Sequence, residues 1–373
     1  MTTGLRRRIL FVSHSAQLLG AEQSLLALVD HALGRGLEVA VVLPSSGPLE
    51  RELEARGVLI HKSPNHWWMS RRGGGLIGLG RTLAAGLDVV PMAAQIRAAR
   101  PDVVVVNSAV VPAAMIAARL LSVPTIVVVR ESIRSNPTLR SVVPKSIVAR
   151  TIDACASQVI AVSRFARSEY GLPAVVVHPE VSLEPRATSG TTNHGRVALR
   201  ALLVGSSGGD KGQLDALAAA AIVRAAGGDV SLEFCGVARG RATERLLQAA
   251  TAHGLSDRVT IVPPTRHVAD HFAGADVTLM LSRHEAYGRV TAESLLCGVP
   301  VVGYALGATP EVLADGGGVL VEPEPRRVAE ALLTLQEPES LRALAQQAER
   351  AGARLRSTNH ASEFFDVVDE VIR

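Results

Sequence analysis

Short runs of β-branched and aliphatic residues alternate along the chain with longer stretches rich in alanine and leucine. In the first half, the runs that predict strands are RILFVS, EVAVVLP, VLIHK, PDVVVVNS, PTIVVVRES, SQVIAVS and AVVVHP. In the second half they are ALLVGS, VSLEFCG, RVTIVP, DVTLMLS, VPVVGYA and GGVLVEP. Continuous Val/Ile/Leu runs separated by helical stretches are typical of parallel sheets covered by helices on both faces. The pattern predicts an α/β protein with two doubly wound, Rossmann-like domains.

A polar segment divides the two halves. Residues 184–196, EPRATSGTTNHGR, contain no apolar residue larger than alanine and many turn formers, which indicates a linker. We predict an N-terminal domain over 1–183, this linker, a C-terminal domain over 197–356, and a final helix over 357–373 that crosses back to the N-terminal domain. Ligands of such sheets bind beyond the carboxyl ends of the strands. The two domains are expected to face each other across a cleft that holds the ligand.

The amino-acid composition limits which classes of protein and which cellular compartments are expected. The formal net charge is only +4, and no block of Lys and Arg with interleaved aromatic residues occurs, so nucleic acid is not an expected partner. The three cysteines lie far apart in apolar runs, which is typical of buried thiols in a reducing compartment. The opening MTTGLRRRILFVSHS resembles a first strand more than a signal peptide. The longest apolar tract, 103–118, is broken by polar residues, so no membrane span and a cytoplasmic location are expected.

The segment that follows the strand ALLVG combines small residues with one of the chain's three lysines. In VGSSGGDKGQ, residues 204–213, Gly205, Ser206 and Ser207 let backbone N–H groups approach an anion, and Lys211 supplies a positive charge. The spacing is neither that of a Walker loop nor that of the dinucleotide fingerprint. A Gly-rich turn with a surface lysine explains the segment about as well, and the rarity of lysine slightly favours a phosphate-binding role.

Two glutamates lie eight positions apart in SRHEAYGRVTAESLLCGVPVV, residues 282–302. Glu285 comes before a predicted turn, and Glu293 falls within the first turn of a helix predicted to begin near Arg289–Thr291. The N-terminus of that helix directs its positive dipole end at a ligand of the loop. A carboxylate that accepts two hydroxyl hydrogen bonds suits a ribose or a hexose. Taken separately, a surface charge at Glu285 and helix-dipole stabilisation by Glu293 are simpler explanations.

Two segments of the first half are candidates for the other side of the site. Gly20, in SHSAQLLGAEQS, forms a close-approach loop after the first strand. The segment SPNHWWMSRRGGGLIGLGR, residues 63–81, holds both tryptophans of the chain, Trp67 and Trp68, beside an Arg pair. It fits three interpretations: a wall against which an acceptor stacks, a contact with a membrane surface, or a Trp-anchored loop packed on the domain.

Together these segments resemble the retaining nucleotide-sugar glycosyltransferases of family 4, which have the GT-B fold. The signature of that family is a glutamate, seven residues and a second glutamate, here Glu285 and Glu293, followed by a small-residue–Glu turn, here GATPEVL. The family's G-x5-K-G loop is matched by Gly205 and Lys211-Gly212. The stretch GAEQSLLALVDHALGRGLEVAVVLP resembles its N-terminal loop, helix and second strand. The resemblance covers nearly the whole chain.

The resemblance implies a role for each matching residue. Glu285 and Lys211 would be catalytic: Glu285 would hold sugar hydroxyls on the reacting face, and Lys211 would neutralise the leaving diphosphate. Glu293 would bind the nucleotide ribose. The other donor-binding candidates are the phosphate-loop residues, the backbone after the first glutamate, and nearby residues, namely Gly205, Ser206, Ser207, Tyr287, Gly288, Arg289, Val290, Gly20 and Arg283.

This chain departs from the family pattern at three places. The N-terminal loop of the family usually has two glycines, where this chain has Leu19 and Gly20. The family usually has an arginine directly after the glycine of its phosphate loop, where this chain has Ser206. Many members also place a histidine after the fourth strand of the N-terminal domain, where this chain has Asn107 and Ser108. Asn107, together with Arg130 and Glu131 after the next strand, is therefore an acceptor-side candidate. These changes bear on which sugar binds more than on whether one binds.

The resemblance implies a retaining glycosyltransferase that moves a sugar, most simply from a UDP-sugar, to an acceptor hydroxyl. Its front-face mechanism would be assisted by the leaving diphosphate. No cofactor and no metal ion are expected, since no D-x-D motif occurs. The alternatives are a sugar-nucleotide epimerase or hydrolase on the same fold, and a GT-B protein that binds a sugar nucleotide without catalysis. Peripheral contact with the inner membrane face is a further expectation. The sequence does not specify the acceptor or the oligomeric state.

Overall fold

The computed structural model describes residues 7–71, 73–183, 198–206 and 210–373. The chain forms two compact units. One comprises Met1–Glu180 together with Asn359–Arg373, and the other comprises Val181–Thr358. They are called the N-terminal unit and the C-terminal unit below. The predicted linker, 184–196, lies outside the described residues.

Parallel strands form the centre of the N-terminal unit. In the described residues its sheet has seven strands in the order β3-β2-β1-β4-β5-β6-β7. The strands are β1 (Arg8–Val12), β2 (Glu38–Leu43), β3 (Leu59–Lys62), β4 (Val103–Val106), β5 (Thr125–Val129), β6 (Gln158–Ala161) and β7 (Val175–Val176). The helices are α1 (Gly20–Gly34), α2 (Pro48–Glu54), α3 (Gly75–Leu87), α4 (Val89–Ala99), α5 (Pro112–Leu120), α6 (Lys145–Cys155), α7 (Arg164–Tyr170) and α15 (His360–Ile372).

The middle strands of this sheet are buried on both faces. Every residue of β4 and β5 is buried, as expected for a parallel sheet with helices on both sides. Strand β1 lies between β2 and β4, with Ile9 paired to Val39 on one side and to Val103 on the other. The strand order changes direction between β1 and β4, which places their carboxyl ends at the switch point where such sheets bind ligands.

The last helix of the chain completes the N-terminal unit. Helix α15 packs against α1, β4 and β5. Arg35 Nη2 lies 2.7 Å from Asp369 Oδ2, and the rings of His31 and Phe365 stack with centroids 5.0 Å apart. Phe364 is also buried. Core side chains of this unit therefore come from both ends of the described sequence.

The C-terminal unit repeats the same architecture. In the described residues its sheet has six parallel strands in the order β10-β9-β8-β11-β12-β13. The strands are β8 (Leu199–Val204), β9 (Val230–Cys235), β10 (Val259–Val262), β11 (Val277–Met280), β12 (Val301–Tyr304) and β13 (Gly318–Val321). The helices are α8 (Gln213–Ala225), α9 (Arg241–Ala252), α10 (Val268–Gly274), α11 (Arg289–Leu296), α12 (Thr309–Val312), α13 (Pro325–Leu335) and α14 (Pro338–Ser357).

Helix α11 is fixed from two directions. Ser294 Oγ on α11 donates to the carbonyl oxygen of Val299 at 2.8 Å and lies 2.7 Å from Thr278 Oγ1 on β11. On its other side α11 packs closely against α14, where a side chain at Gly352 would collide with the backbone of Leu295. Glycine at that position lets the two helices approach each other closely. The C-terminal half of α11 is therefore held between β11 and α14.

One helical stretch of the described residues, Gly75–Ala99, is long and apolar enough to cross a membrane by length and composition. The longest apolar tract of the sequence, 103–118, instead forms β4, a short loop and most of α5, and almost all of it is buried. In Gly75–Ala99 one face is packed, with Met92 and Ile96 buried. The outward side chains of α3 are exposed.

Candidate functional site

An ion pair joins two loops at the carboxyl ends of β8 and β11. Lys211 Nζ lies 2.8 Å from Glu285 Oε2, and both side chains are mostly buried. Gly205 makes room for the lysine, because a Cβ atom there would lie 2.8 Å from Lys211 Cγ. Both charged groups were predicted from the sequence to belong to one site, and the structure brings them into direct contact.

The Glu285 loop is supported by the turn that precedes α12. The N–H of Ala308 donates to the carbonyl oxygen of Glu285 at 2.9 Å. Gly307 has a φ of +62°, and a Cβ atom there would lie 2.6 Å from the same carbonyl oxygen. A larger residue would push the loop away. The GATPEVL turn therefore helps to position the backbone of Glu285.

Helix α11 begins directly after the Glu285 loop. Gly288 precedes its first residue with a φ of +92°, a left-handed conformation that glycine adopts readily. A Cβ atom at Gly288 would also lie 3.4 Å from Glu285 Cγ. The N-terminal end of α11 and the Glu285 carboxylate therefore lie close together. Free N–H groups and the helix dipole make such an end suitable for an anionic ligand.

Glu293 is the fifth residue of α11, so the expectation that it lies in the first turn was wrong. Its side chain is mostly buried, and Arg289 Nη2 lies 3.4 Å from its Oε1 atom. Burial raises the pKa of Glu293, and the positive charge of Arg289 offsets this only in part. A carboxylate kept in such surroundings has hydrogen-bonding capacity left for a ligand.

Arg283 lies beside a tyrosine–aspartate pair that the sequence analysis missed. Its Nη2 atom lies 3.3 Å from Asp215 Oδ2 and donates to the carbonyl oxygen of Pro323 at 3.0 Å. Tyr304 donates to the same Asp215 oxygen at 2.7 Å. Asp215 lies in the first turn of α8, two residues after Gln213. Its short distance in sequence from Lys211 is the feature that could have identified it as a residue of the site.

The other predicted donor-side residues of this unit have varied surroundings. Ser206 accepts a hydrogen bond at its carbonyl oxygen from Gln213 Nε2, which steadies the loop. Ser207 lies outside the described residues. Tyr287 is buried, so only its backbone is suited to the predicted role, and Val290 is half-buried.

A second cluster of polar side chains lies at the carboxyl ends of β4 and β5 in the N-terminal unit. Arg130 Nη2 donates to Asn107 Oδ1 at 2.7 Å, and Asn107 Nδ2 donates to the carbonyl oxygen of Ala21 at 3.1 Å. This network fixes the start of α1, next to Gly20. Three of the predicted residues of this unit, Gly20, Asn107 and Arg130, thus lie in one area.

Glu131 is held by hydroxyl groups. Ser108 Oγ donates to its Oε1 atom, and Tyr170 OH donates to its Oε2 atom at 3.0 Å. Burial, reinforced by the negative charge of Glu131, raises the pKa of Tyr170. Both carboxylate oxygens therefore have donors within the protein, which makes Glu131 a group that positions its neighbours.

His14, at the end of β1, belongs to the same area and was missed by the sequence analysis. Its Nε2 atom lies 3.3 Å from Glu22 Oε1. Burial lowers the pKa of His14, although Glu22 and Glu131 act in the opposite direction. His14 Nδ1 has no hydrogen-bond partner among the described residues. The sequence feature that could have identified His14 as a residue of the site is its position just after the first strand.

The two tryptophans have different surroundings. Trp67 is half-buried, donates to the carbonyl oxygen of His14 at 3.0 Å, and lies with its ring 5.5 Å from the His14 ring. Trp68 is only 6% exposed and donates to the carbonyl oxygen of Ala109. The expectation that Trp68 forms an acceptor wall is therefore wrong, because its ring faces are packed in the core. Trp67 remains a candidate.

Comparison with known families covers most of the chain. Residues 20–180 match the family described as "Glycosyl transferase 4-like domain", and residues 198–351 match "Glycosyl transferases group 1". The chain belongs to the glycosyltransferases. The predicted relationship to family 4 is confirmed.

Curated glycosyltransferases align over shorter stretches. The D-inositol 3-phosphate glycosyltransferase of Xylanimonas cellulosilytica is 38% identical over 146 residues, which is 37% of this chain and 35% of that protein. The enzyme of the same name from Streptosporangium roseum is 44% identical over 80 residues, 21% of this chain and 18% of that protein. The aligned part thus spans about a third or less of these relatives.

Solved glycosyltransferase structures align over nearly the whole chain. Anabaena HepE in complex with UDP and glucose gives a TM-score of 0.78 at 19% identity, covering 98% of this chain and 100% of that chain. Sucrose-phosphate synthase from Thermosynechococcus elongatus gives a TM-score of 0.74 at 16% identity, covering 98% and 99%. At these identities the likeness establishes the fold, and the predicted GT-B fold is confirmed.

Proposed function

We propose that this glycosyltransferase moves a sugar from a UDP-sugar to an acceptor hydroxyl, with retention of configuration and without a divalent metal ion. The observation that carries the proposal is the contact between Lys211 and Glu285 beside the N-terminal end of α11. It places an ammonium group for diphosphate oxygens next to a carboxylate for sugar hydroxyls. These are the charges that a nucleotide-sugar requires.

The donor would bind along α11. Its diphosphate would lie at the helix N-terminus after Gly288, where N–H groups and Lys211 offset negative charge. Glu293, further along the helix, would accept hydrogen bonds from the two ribose hydroxyls. The presence of UDP in the HepE structure supports UDP as the nucleotide.

The reaction would be a front-face substitution. The acceptor oxygen attacks the anomeric carbon on the face from which the diphosphate departs, and the bond between that carbon and the phosphate oxygen breaks. The acceptor proton passes to the leaving phosphate oxygen, so the products are the glycoside and UDP. Lys211 and the start of α11 stabilise the negative charge that develops on the diphosphate. Glu285 orients the sugar through its hydroxyls.

The polar cluster of the N-terminal unit would bind the acceptor. Arg130, held in place by Asn107, presents guanidinium donors at the end of β5, and His14 lies nearby with a ring nitrogen that has no hydrogen-bond partner among the described residues. A half-buried indole at Trp67 gives the same area an apolar surface. This combination suits a polyhydroxylated acceptor with one less polar face.

Titration calorimetry with nucleoside diphosphates tests the donor assignment. UDP, GDP, ADP and TDP are titrated into the protein with and without EDTA, and UDP-sugars are then assayed for release of UDP. We expect UDP to bind more tightly than the others and EDTA to leave its affinity unchanged. Absence of binding by any of them to folded protein, or binding only with a divalent ion, would overturn the proposal.

A matched pair of lysine variants tests the role of Lys211. Lys62 pairs with Glu50 at 2.8 Å in the N-terminal unit, the same distance as Lys211 from Glu285, so K62A is the control for K211A. K211A is expected to weaken UDP binding at least about tenfold and uridine binding much less, while K62A leaves both unchanged. Equal effects of the two variants would show that Lys211 does not contact the diphosphate.

Transfer must then be separated from binding. Tight UDP-sugar binding by wild-type protein, with neither transfer nor hydrolysis in the presence of an acceptor panel, would favour the non-catalytic alternative. Consumption of UDP-sugar that does not depend on any acceptor would favour a hydrolase or epimerase. Acceptor-dependent formation of a glycoside with the donor's anomeric configuration is the result that we expect.

A further inference from the structure

The outer face of α3 and the first turn of α4 is unusually apolar. Large apolar side chains recur every three or four residues and point away from the protein, with exposed fractions between 47% and 87%. They are Leu76, Leu79, Leu83, Leu87 and Val90, here called the outer stripe. Asp88, between the two helices, has helical backbone angles, so the stripe continues across it. The opposite face is packed by residues such as Ala85, Met92 and Ile96.

Isolated exposed leucines are normal on protein surfaces, whereas a continuous stripe is not. Of the sixteen large apolar side chains that are exposed in the described residues, six lie between Leu76 and Val90. The others are scattered over both units, as Leu120 on α5 and Leu214 on α8 illustrate. A helix that is apolar towards solvent as well as towards the core needs a cover.

The surroundings of the stripe are positively charged. Residues 63–101 contain five arginines and a single acidic residue, Asp88, and residues 132–152 contain three arginines and a lysine with no acidic residue. Asp88 is buried and accepts hydrogen bonds from the backbone and ring of His66, so its charge does not face outward.

The two basic segments lie side by side next to α3. The backbones of Ser70 and Arg140 exchange two hydrogen bonds, at 2.9 and 3.0 Å, and Arg81 on α3 donates to the Ser70 hydroxyl. Arg140, Lys145 and Arg150 are exposed. Arg140 and Arg81 therefore lie beside the start and middle of α3, and Lys145 and Arg150 follow Arg140 along the second basic segment.

We propose that the outer stripe is a docking surface for an anionic lipid bilayer, with α3 lying in the headgroup region and the flanking arginines and lysine binding lipid phosphates. An apolar helical face with basic flanks is the pattern of helices that lie in the membrane interface. Helices α3 and α4 would lie on the bilayer instead of crossing it, because their other face, with Met92, Ile96 and Asp88, is buried against the rest of the protein. A second copy of the chain would cover the outer stripe less favourably than an anionic bilayer, since it would bring two positively charged regions together.

Vesicle co-sedimentation tests this proposal without any nucleotide. Wild-type protein is mixed with phosphatidylcholine vesicles and with vesicles containing about one-third phosphatidylglycerol. We expect binding to the anionic vesicles that weakens as salt is raised, and little binding to the neutral ones. Wild-type protein that stays in the supernatant with anionic vesicles would overturn the proposal.

Two pairs of double variants locate the surface. L79N/L83N alters the stripe, and L247N/L214N alters leucines of closely similar exposure in the C-terminal unit, 45% and 59% against 47% and 63%. The first variant is expected to lose at least about tenfold in partitioning onto anionic vesicles, and the second less than twofold. Because all four leucines are exposed, the circular dichroism and the melting temperature of both variants are expected to match those of wild type.

The charge is tested in the same way. K145E/R150E is expected to lose binding to anionic vesicles, whereas R342E/R350E, which reverses two exposed arginines on α14, is expected to keep most of it. Equal sedimentation of L79N/L83N and wild type would show that the stripe is not the docking surface. Light scattering that shows a dimer abolished by L79N/L83N, without vesicle binding by wild type, would assign the stripe to a second copy and reject the proposal.

Discussion

Replacement of Glu293 by glutamine is expected to stabilise the protein and to weaken nucleotide binding. The carboxylate is mostly buried, and the contact that the structure gives it is Arg289 Nη2 at 3.4 Å, longer than a strong hydrogen bond. Glutamine has nearly the same shape but carries no charge. The substitution therefore removes the cost of burying a charge while leaving the packing of α11 unchanged.

The two effects have magnitudes that can be measured separately. A buried polar group with incomplete hydrogen bonding costs about 1–3 kcal/mol, and since Arg289 offsets part of this we expect a gain of about 1 kcal/mol in the free energy of unfolding. For a unit of this size that is a rise of about 2–4 °C in melting temperature. Loss of charge in two hydrogen bonds to ribose hydroxyls is expected to cost about 2 kcal/mol, or roughly thirtyfold in the Kd of UDP.

The stabilisation should depend on pH in a defined direction. Burial raises the pKa of Glu293 above its ordinary value of 4.5, so the folded protein holds a proton that the unfolded chain would release. Wild-type stability therefore falls as pH rises from the ordinary pKa to the raised one and stays lower above it. The advantage of E293Q should be smaller at pH 5 than at pH 8, as thermal unfolding across this range would measure.

Calorimetry with UDP and with uridine completes the test. Both ligands should bind more weakly to E293Q than to wild type, because both carry the ribose. The control is E244Q, which replaces an exposed glutamate of α9. Two results would contradict these expectations: an E293Q protein that is less stable than wild type at pH 8, and one that binds UDP with unchanged affinity. The first result would mean that the Arg289 contact outweighs burial, and the second that Glu293 does not contact the ribose.

Two further predictions concern the C-terminal unit. G307A should lower the free energy of unfolding by about 2–3 kcal/mol and weaken UDP binding, because its Cβ would meet the Glu285 backbone. The control is G254A, which has a similar φ of +68° but open space around it and should cost only about 1 kcal/mol. Equal costs of the two variants in thermal unfolding would contradict the contact with Glu285. Burial raises the pKa of the Cys235 and Cys297 thiols to about 11, so their alkylation by iodoacetamide, followed by peptide mass spectrometry, should be slow at pH 7.5 and rise steadily with pH. A rate that levels off below pH 9 would contradict this.

The strands of both sheets were predictable because the signal is local. A run such as Val103–Val106 is entirely buried between helices, so its apolar character is continuous and unmistakable. The Lys211–Glu285 contact followed from the same regularity, since both residues come after strands whose carboxyl ends share one edge of the sheet.

Features that depend on three-dimensional packing were not predictable. Trp68 and Trp67 are adjacent in sequence, yet one is buried and the other half-buried, and composition gives no means of separating them. The partner of Arg283, Asp215, is 68 positions away and is fixed by the meeting of α8 with the Glu285 loop. The exposure of Leu83 likewise depends on which face of α3 packs against α5. From the sequence alone, a leucine in an apolar helix is expected to lie in the core.

The return of α15 to the N-terminal unit has a consequence for the order of events during synthesis. Strands β4 and β5 leave the ribosome early, but the helix that covers part of them, with Phe364 and Phe365, emerges only when residues 360–372 have been made. By then the whole of the C-terminal unit, Val181–Thr358, is available to fold by itself. The unit that begins the chain is therefore the last to close its core, and in the interval its uncovered valines are the surface most exposed to chaperones and to aggregation.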